Sequence, residues 1–190
     1  MKGALSAARG CVVIPAYNEE MRIGHIVSEV VSKGLSCIVI DDGSVDKTKE
    51  EAEREGAEVI SHRKNHGKGL SLRDGFKKAL EENYNFIITM DGDGQHHPDE
   101  LEHFVKAAEK GDADIVLGNR MKDPKDMPLR RRITNRFMSS VISFLAGQSL
   151  PDTQCGYRLI STRVLRSVPL TTDKYEIESE VLIEAANAGF

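Results

Sequence analysis

The chain contains no tryptophan, and only 5% of its 190 residues are aromatic. Proteins that bind single-stranded nucleic acid stack bases on aromatic side chains, so this composition disfavours that function. Acidic residues outnumber basic ones by 30 to 26, and the net charge is -4. Binding to a phosphate backbone requires an excess of basic charge, which this chain lacks. We therefore expect no nucleic-acid partner.

The sequence is also poor in cysteine and has no long apolar run. Its three cysteines, Cys11, Cys37 and Cys155, are far apart and form no C-x-x-C pair. That pattern argues against a disulfide framework or a thiolate zinc site, and favours three buried thiols in a reducing cytosol. The sequence has no run of about 18 apolar residues, the length that a membrane-spanning helix needs, so we expect no such helix in it. The first ten residues lack the apolar segment of a signal peptide.

Over the first 118 residues, short apolar runs alternate with segments of helical periodicity. The runs are continuously apolar, which is typical of strands in a parallel sheet that is covered on both faces. Pro15 is expected to end the first strand. The predicted strands are 11–14, 37–40, 57–60, 86–90 and 114–117, and the predicted helices between them are 19–33, 45–55, 69–82 and 98–110.

The region after residue 118 differs in charge. Between Arg120 and Arg136 seven residues are basic and two are acidic, although the chain as a whole is acidic. A basic loop is predicted to run to about residue 132, followed by a helix over 133–146 and a final helix from about Glu176. The apolar residues of 133–146 have two interpretations. They indicate either burial in the core or contact with a bilayer whose headgroups meet the arginines.

Acidic residues and glycines follow three of the predicted strands, in the segments PAYNEE at 15–20, DDGS at 41–44 and DGDGQHH at 91–97. Ligands of open parallel sheets bind beyond the carboxyl ends of the strands. Asp91 and Asp93 are separated by one glycine, so both carboxylates can reach one hard cation, and Gln95 adds an amide oxygen. Mg²⁺ or Mn²⁺ prefers such oxygen ligands and often bridges to substrate phosphates.

Other phosphate and nucleophile motifs do not fit. The sequence has neither a P-loop nor the G-x-S-x-G elbow of a serine hydrolase. Gly67-Lys68-Gly69 has the wrong spacing for a dinucleotide fingerprint, although it can open a helix toward an anion.

The ordered set PAYNEE, DDGS, DGDGQH and CGYR resembles the family 2 glycosyltransferases. Within them, it is most similar to the polyprenyl (dolichyl) phosphate mannosyl- and glucosyltransferases. The resemblance runs from about residue 11 to the end. It implies an α/β fold of the GT-A type, with a mostly parallel central sheet flanked by helices and a nucleotide-sugar site at the C-terminal strand ends.

The resemblance also implies a domain organisation. Residues 1–190 are expected to form one domain, with a nucleotide-sugar-binding half over 1–118 and an acceptor-side half over 119–190. Relatives continue beyond the point that corresponds to Phe190, so we expect either a C-terminally truncated chain or a minimal enzyme.

Individual site residues follow from the same resemblance. Asp91, Asp93 and Arg120 are expected to be catalytic. The metal, Mg²⁺ or Mn²⁺, is expected at Asp91, Asp93 and Gln95. The acceptor phosphate is expected at Arg120, Arg131, Arg132 and Asn135. The nucleotide sugar is expected to contact Pro15, Tyr17, Glu19, Ile40, Asp42, Lys68, Asp91, Gly92 and Asp93.

The implied reaction is the metal-dependent, inverting transfer of mannose or glucose from GDP-mannose or UDP-glucose to a polyprenyl phosphate. We expect a cytoplasmic enzyme that is peripheral on the cytosolic face of the membrane. An anionic acceptor needs cationic positioning, whereas an alcohol acceptor needs a carboxylate base, for which Asp152 and Glu176 are candidates. Three alternatives stay open: a soluble family 2 enzyme acting on a sugar hydroxyl, a nucleotidyltransferase with a similar sheet, or a non-catalytic nucleotide-sugar-binding subunit.

Overall fold

The computed structural model describes residues 9–94, 98–111, 113–122, 127–172 and 176–190. Strands and helices alternate through β5, as the apolar periodicity predicts, and most bounds lie within a few residues of those expected. The strands are β1 (Gly10–Ala16), β2 (Ser36–Asp41), β3 (Glu58–Ser61), β4 (Phe86–Thr89), β5 (Ile115–Leu117) and β6 (Arg158–Ser161). The helices are α1 (Ile23–Ser32), α2 (Thr48–Arg54), α3 (Lys68–Glu81), α4 (Leu101–Lys110), α5 (Leu129–Ala146), α6 (Thr162–Ser167) and α7 (Ile177–Asn187).

The six strands form one sheet in the order β3-β2-β1-β4-β6-β5. Strands β1 to β4 pair in parallel, and β6 lies antiparallel to both β4 and β5. The expected α/β fold with a mostly parallel sheet is therefore confirmed. The carboxyl ends of β1, β2 and β4 meet at one edge, because parallel neighbours end on the same side. The proposed division at residue 118 stays a prediction.

Apolar side chains cover both faces of the sheet. One core cluster joins alternate β1 residues such as Val12 and Ile14 to α1 and α4. The other joins Cys11 and Val13 to α3, α6 and α7. This alternation follows from the two-residue period of a strand. All three cysteines are buried, and burial raises the pKa of Cys37 to about 12, which keeps its thiol protonated at neutral pH.

Strand β1 does not end at Pro15, as the sequence predicted, but continues to Ala16. The carbonyl of Val13 accepts a hydrogen bond from Met90 N, so the backbone N–H and C=O groups of the odd-numbered β1 residues point toward β4. Pro15 lies past the last pairing residue of β4. Its missing N–H therefore costs no ladder hydrogen bond, and the other side of β1 keeps pairing with β2.

Helix α5 begins at Leu129, about one turn earlier than predicted, so Arg130, Arg131 and Arg132 are helical rather than part of a basic loop. Leucine and arginine are good helix formers, and Pro128 occupies the N-cap position. The residues that α5 buries are Asn135, Ser139 and Ile142. The interpretation of α5 as an ordinary core helix is therefore wrong, because its large apolar side chains lie mostly on the exposed side.

Candidate active site

A cleft of about 260 Å³ lies at the carboxyl ends of β1, β2 and β4. Among the residues expected to contact a nucleotide sugar, all but Ile40 line it. The lining residues are Pro15, Ala16, Tyr17, Glu19, Asp42, Asn65, Gly67, Lys68, Ser71, Asp91, Gly92 and Asp93. The sheet topology thus brings together segments that are up to 78 positions apart in sequence.

Ile40 needs a correction. It is fully buried in the core cluster that contains Leu72 and Phe76 of α3. Helix α3 approaches β1 and β2 closely at Gly75, where an added Cβ would lie 3.5 Å from Cγ1 of Ile40. The Ile40 side chain therefore packs in the core under α3 and does not line the cleft.

The loop after β1 is tied to the loop after β2 by backbone-to-side-chain hydrogen bonds. Asn18 N donates to Ser44 Oγ at 2.9 Å, and Val45 N donates back to Asn18 Oδ1 at 3.0 Å. Glu19 N donates to Thr48 Oγ1 at 2.7 Å. These bonds hold Tyr17 and Glu19 at the cleft wall, with the tyrosine ring exposed.

Asp42 is buried, and its carboxylate organises the opposite wall. Its Oδ1 accepts from His66 N at 2.9 Å and its Oδ2 from Gly67 N at 2.7 Å. Gly43 allows the backbone at Lys64 to pass close to the loop after β2, because a Cβ on Gly43 would lie 2.5 Å from the carbonyl carbon of Lys64. Its φ of +75° also favours glycine.

Lys68 begins α3 and reaches into the cleft. Its Nζ lies 2.5 Å from Asp91 Oδ1 and 2.9 Å from Glu178 Oε1. Burial lowers the pKa of Lys68, but the charges of Glu178 and Asp91 outweigh this effect, so the pKa lies above its ordinary value. The ammonium is therefore charged at neutral pH. Glu178, on α7, is a site residue that the sequence reasoning missed.

Gly156, from the CGYR segment, closes the cleft from the side of β6. A Cβ on this residue would lie 2.8 Å from Asp91 Oδ2 and 2.9 Å from Lys68 Nζ. No side chain fits there, so a glycine is required for Asp91 and Lys68 to meet. The next but one residue, Arg158, is fully buried and donates to the carbonyls of Cys155, Thr153 and Glu178.

Arg120 forms a two-point ion pair with Asp152. Its Nε lies 3.2 Å from Asp152 Oδ2, and its Nη2 lies 3.3 Å from Oδ1. Burial lowers the pKa of Arg120, but its bonds and charge interactions with Asp152 and further groups, Asp91 among them, raise it above its ordinary value. Arg120 is thus a fixed cation near the cleft.

The other residues expected at an acceptor phosphate occupy different environments. Asn135 is buried, and its Nδ2 donates to Asp152 Oδ1 at 2.9 Å, so it orients Asp152 instead of facing a ligand. This corrects the expectation for Asn135. Arg131 is exposed and Arg132 is half-buried, both on the first turn of α5.

Neither candidate base lies at the cleft. Asp152 is fully buried, and its carboxylate accepts hydrogen bonds from Arg120, Asn135 and the backbone N of Gln154. Glu176 is exposed at the start of α7. Both expectations are corrected: the first is a structural anchor, and the second faces solvent.

The residues that are present fit a hard divalent cation. Asp91 and Asp93 offer carboxylate oxygens at the cleft, and the Lys68 ammonium against Asp91 shows that this position accommodates positive charge. Gln95 lies outside the described residues. Among the described residues, no cluster of three or more His, Cys, Asp and Glu side chains could hold a metal. A site with only two carboxylates suits Mg²⁺ or Mn²⁺, because the other ligands of these ions are commonly substrate phosphates and water.

Comparison with known proteins gives sequence relatives over nearly the whole chain. An uncharacterized protein of Methanocaldococcus jannaschii is 39% identical over 184 residues, which cover 94% of this chain and 76% of that protein. The UDP-N-acetylglucosamine–dolichyl-phosphate N-acetylglucosaminyltransferase of Methanococcus voltae is 33% identical over 197 residues, which cover 92% of this chain and 78% of that enzyme.

A solved structure shares the fold. Glucosyl-3-phosphoglycerate synthase of Mycobacterium tuberculosis, in complex with Mn²⁺, UDP and glucosyl-3-phosphoglycerate, has a TM-score of 0.73 at 23% identity and covers 97% of this chain. The chain spans about two thirds of the solved chains it matches. The fold is therefore of the GT-A type. The model of "Glycosyl transferase family 2" matches residues 11–168, so the chain belongs to this family and is a glycosyltransferase.

Proposed function

We propose that this glycosyltransferase moves a hexose from a nucleoside diphosphate sugar to a polyprenyl phosphate in a metal-dependent, inverting reaction. The observation that carries the proposal is the arrangement of charge around the cleft. Asp91 and Asp93 offer carboxylates for a metal-bound diphosphate, and the Arg120 cation lies close enough to interact with Asp91. One anion site for the donor thus adjoins a separate cation for the acceptor.

The donor half of the proposal assigns roles to the walls of the cleft. Pro15, Tyr17 and Glu19 hold the base and ribose, with Asp42 on the opposite wall. Asp91 and Asp93 would hold Mg²⁺ or Mn²⁺, and the bound ion would stabilise the charge that develops on the leaving diphosphate. Lys68 adds a fixed positive charge to the same region. GDP-mannose and UDP-glucose are the proposed donors.

The acceptor half rests on where the structure places the two candidate bases, Asp152 and Glu176, and on a relative's name. Both carboxylates considered as bases lie away from the cleft, and a phosphate acceptor needs none because it is already anionic. An acceptor phosphate oxygen forms the new bond to C1 of the sugar while the bond from C1 to the diphosphate oxygen breaks. The electron pair of that bond leaves with the nucleoside diphosphate, and the configuration at C1 inverts. The Methanococcus voltae relative is named for dolichyl phosphate as acceptor.

A transfer assay tests this proposal. The purified chain, with Mn²⁺ and GDP-mannose or UDP-glucose, is expected to glycosylate a short polyprenyl phosphate and to lose this activity in EDTA. UDP-N-acetylglucosamine belongs in the donor panel because of the Methanococcus voltae relative. Transfer to a free sugar but not to the lipid phosphate would contradict the acceptor assignment. Nucleotide binding without transfer to either acceptor would indicate a non-catalytic subunit.

We further propose that the enzyme works as a peripheral protein on the cytosolic face of a membrane, with α5 against the lipid. No helix in the described part of the chain is long and apolar enough to cross a bilayer. Six large apolar residues of α5 are 37% to 86% exposed, with the spacing of one helix face: Leu129, Ile133, Phe137, Val141, Phe144 and Leu145. The exposed Arg130, Arg131 and Arg136 on the same helix suit anionic headgroups.

Changing Phe137 and Phe144 to glutamate is expected to reduce binding to vesicles of phosphatidylcholine and phosphatidylglycerol by at least about tenfold, because burying one phenylalanine contributes about 2 kcal/mol. Co-sedimentation measures the effect. Val45→Glu is the matched control, since Val45 is also exposed but lies outside α5. Equal binding of the double variant and the wild type would rule out α5 as the lipid-facing element.

A further inference from the structure

His62 lies just after β3, between two carboxylates from different elements. Its Nδ1 is 2.7 Å from Asp42 Oδ1, at the end of β2, and its Nε2 is 3.0 Å from Asp74 Oδ2, on α3. The imidazole is largely buried, and its backbone N donates to the carbonyl of Asp41. The side chain therefore links two elements that flank the donor cleft.

The chemistry of these partners fixes the protonation state. An ionised carboxylate only accepts hydrogen bonds, and a neutral imidazole has a single N–H. His62 can donate to both Asp42 and Asp74 only as an imidazolium. Burial lowers the pKa of His62, but the hydrogen bonds and charges of the two aspartates outweigh it and raise the pKa above its ordinary value. The rings of His62 and His66 are nearly perpendicular, with 5.5 Å between their centroids.

The imidazolium acts on the cleft through Asp42. The oxygen that accepts from His62 also accepts from His66 N, and the other oxygen accepts from Gly67 N. Gly67 has a φ of +99° and directly precedes Lys68, which pairs with Asp91. Asp42 is buried, so the positive charge on His62 compensates a carboxylate that has little access to water.

We infer that His62 is a positioning residue that, in its imidazolium form, holds Asp42 and the segment 65–67 in the conformation that binds the donor nucleotide. This inference rests on the proposed function, because it takes the cleft as the nucleoside diphosphate site. When His62 loses its proton, one of its two hydrogen bonds is lost and buried Asp42 loses its compensating charge. Donor affinity then falls as the pH rises, while the steps after binding keep their rate.

Two measurements on the full chain test the inference. The first is a pH titration of the imidazole ¹⁵N signals, assigned with His62→Gln. His62 is expected to keep both nitrogens protonated at a pH where the imidazole of a short unstructured histidine peptide, measured in the same buffer, has become neutral. If His62 titrates together with the peptide or at lower pH, the inference is wrong. This measurement uses the wild-type chain, so it does not depend on the folding of a variant.

The second measurement is calorimetric binding of UDP and GDP with Mg²⁺ between pH 6 and pH 8.5. Glutamine offers one donor group, as neutral histidine does, so His62→Gln is expected to bind about tenfold more weakly than wild type at pH 6, with a smaller pH dependence. In the transfer assay the loss is expected in KM and not in kcat. His103→Gln is the control and is expected to behave as wild type.

The outcomes separate this inference from the proposed function. If wild type binds neither nucleotide at any pH, the proposed donor site fails and this inference fails with it. If wild type binds and His62→Gln binds equally well with the same pH profile, only the role of His62 is overturned.

The difference in Tm between wild type and His62→Gln should be largest below the ordinary histidine pKa and should shrink as the pH rises through the raised pKa of His62.

Discussion

Replacing Asp93 by asparagine is expected to lower sugar transfer by about a thousandfold, because the metal contribution of several kcal/mol depends on a carboxylate at this position. Asp93 lines the cleft beside Asp91 and Gly92, at the carboxyl end of β4. The amide keeps the shape of the side chain but removes its charge. Transfer rates at saturating Mn²⁺ measure the effect, and Mn²⁺ affinity measured by electron paramagnetic resonance should fall in parallel.

Asp99→Asn is the matched control for this variant. Asp99 follows the same loop, is exposed, and pairs at the surface with Lys33, so its loss is expected to leave the transfer rate unchanged. Both variants should unfold at the wild-type temperature. Unchanged turnover in Asp93→Asn would reject Asp93 as a metal ligand and leave the cleft without its proposed cation site.

Among the substitutions considered, Asp152→Ala is expected to lower the free energy of unfolding the most. The fully buried carboxylate accepts hydrogen bonds from the side chains of Arg120 and Asn135. Removing one partner of a buried ion pair leaves the other uncompensated and costs about 3 kcal/mol. In a chain of this size such a loss lowers Tm by about 10 °C. Thermal unfolding followed by circular dichroism measures it.

Asp114→Ala provides the comparison for Asp152. Asp114 pairs with Arg163, whose side chain is mostly exposed, and exposed ion pairs contribute at most about 1 kcal/mol. Asp152→Ala should also slow transfer at temperatures where it is folded, since Arg120 is no longer held in place. A variant that is as stable as Asp114→Ala would show that Asp152 does not anchor the acceptor-side cation.

The parts of the fold that depend on local pattern could be predicted from the sequence. Continuous apolar runs such as 37–40 belong to strands that are buried on both faces, and their alternation with helices leads directly to a parallel sheet. The segments at the carboxyl ends of the strands followed from the same topology, whereas the individual nucleotide-sugar contacts came from the family resemblance. That resemblance does not fix the direction of a side chain, and Ile40, which was expected at the cleft, packs under α3.

Long-range contacts account for most of the remaining differences. Glu178 and Glu176 are two positions apart on the same acidic segment, and only the packing of α7 against the sheet brings Glu178 to Lys68. The family resemblance placed Asn135 at the acceptor phosphate, but its side chain donates to Asp152, 17 positions away in sequence. Whether β1 could continue past Pro15 depended on where its neighbour β4 ends. None of these relations is a property of a short segment.

The position of β6, between β4 and the edge strand β5, bears on how the chain folds during synthesis. Strand β5 is made before β6, yet in the described structure it pairs with β6 and is separated by it from β4. The sheet from β3 to β4 can assemble as the ribosome proceeds, whereas β5 must wait for some 40 further residues. Non-local pairing of this kind slows folding and leaves strand edges exposed in the meantime. Because Gly156 lies against Asp91 and Lys68 just ahead of β6, the insertion of β6 into the sheet also brings this glycine to the wall of the cleft.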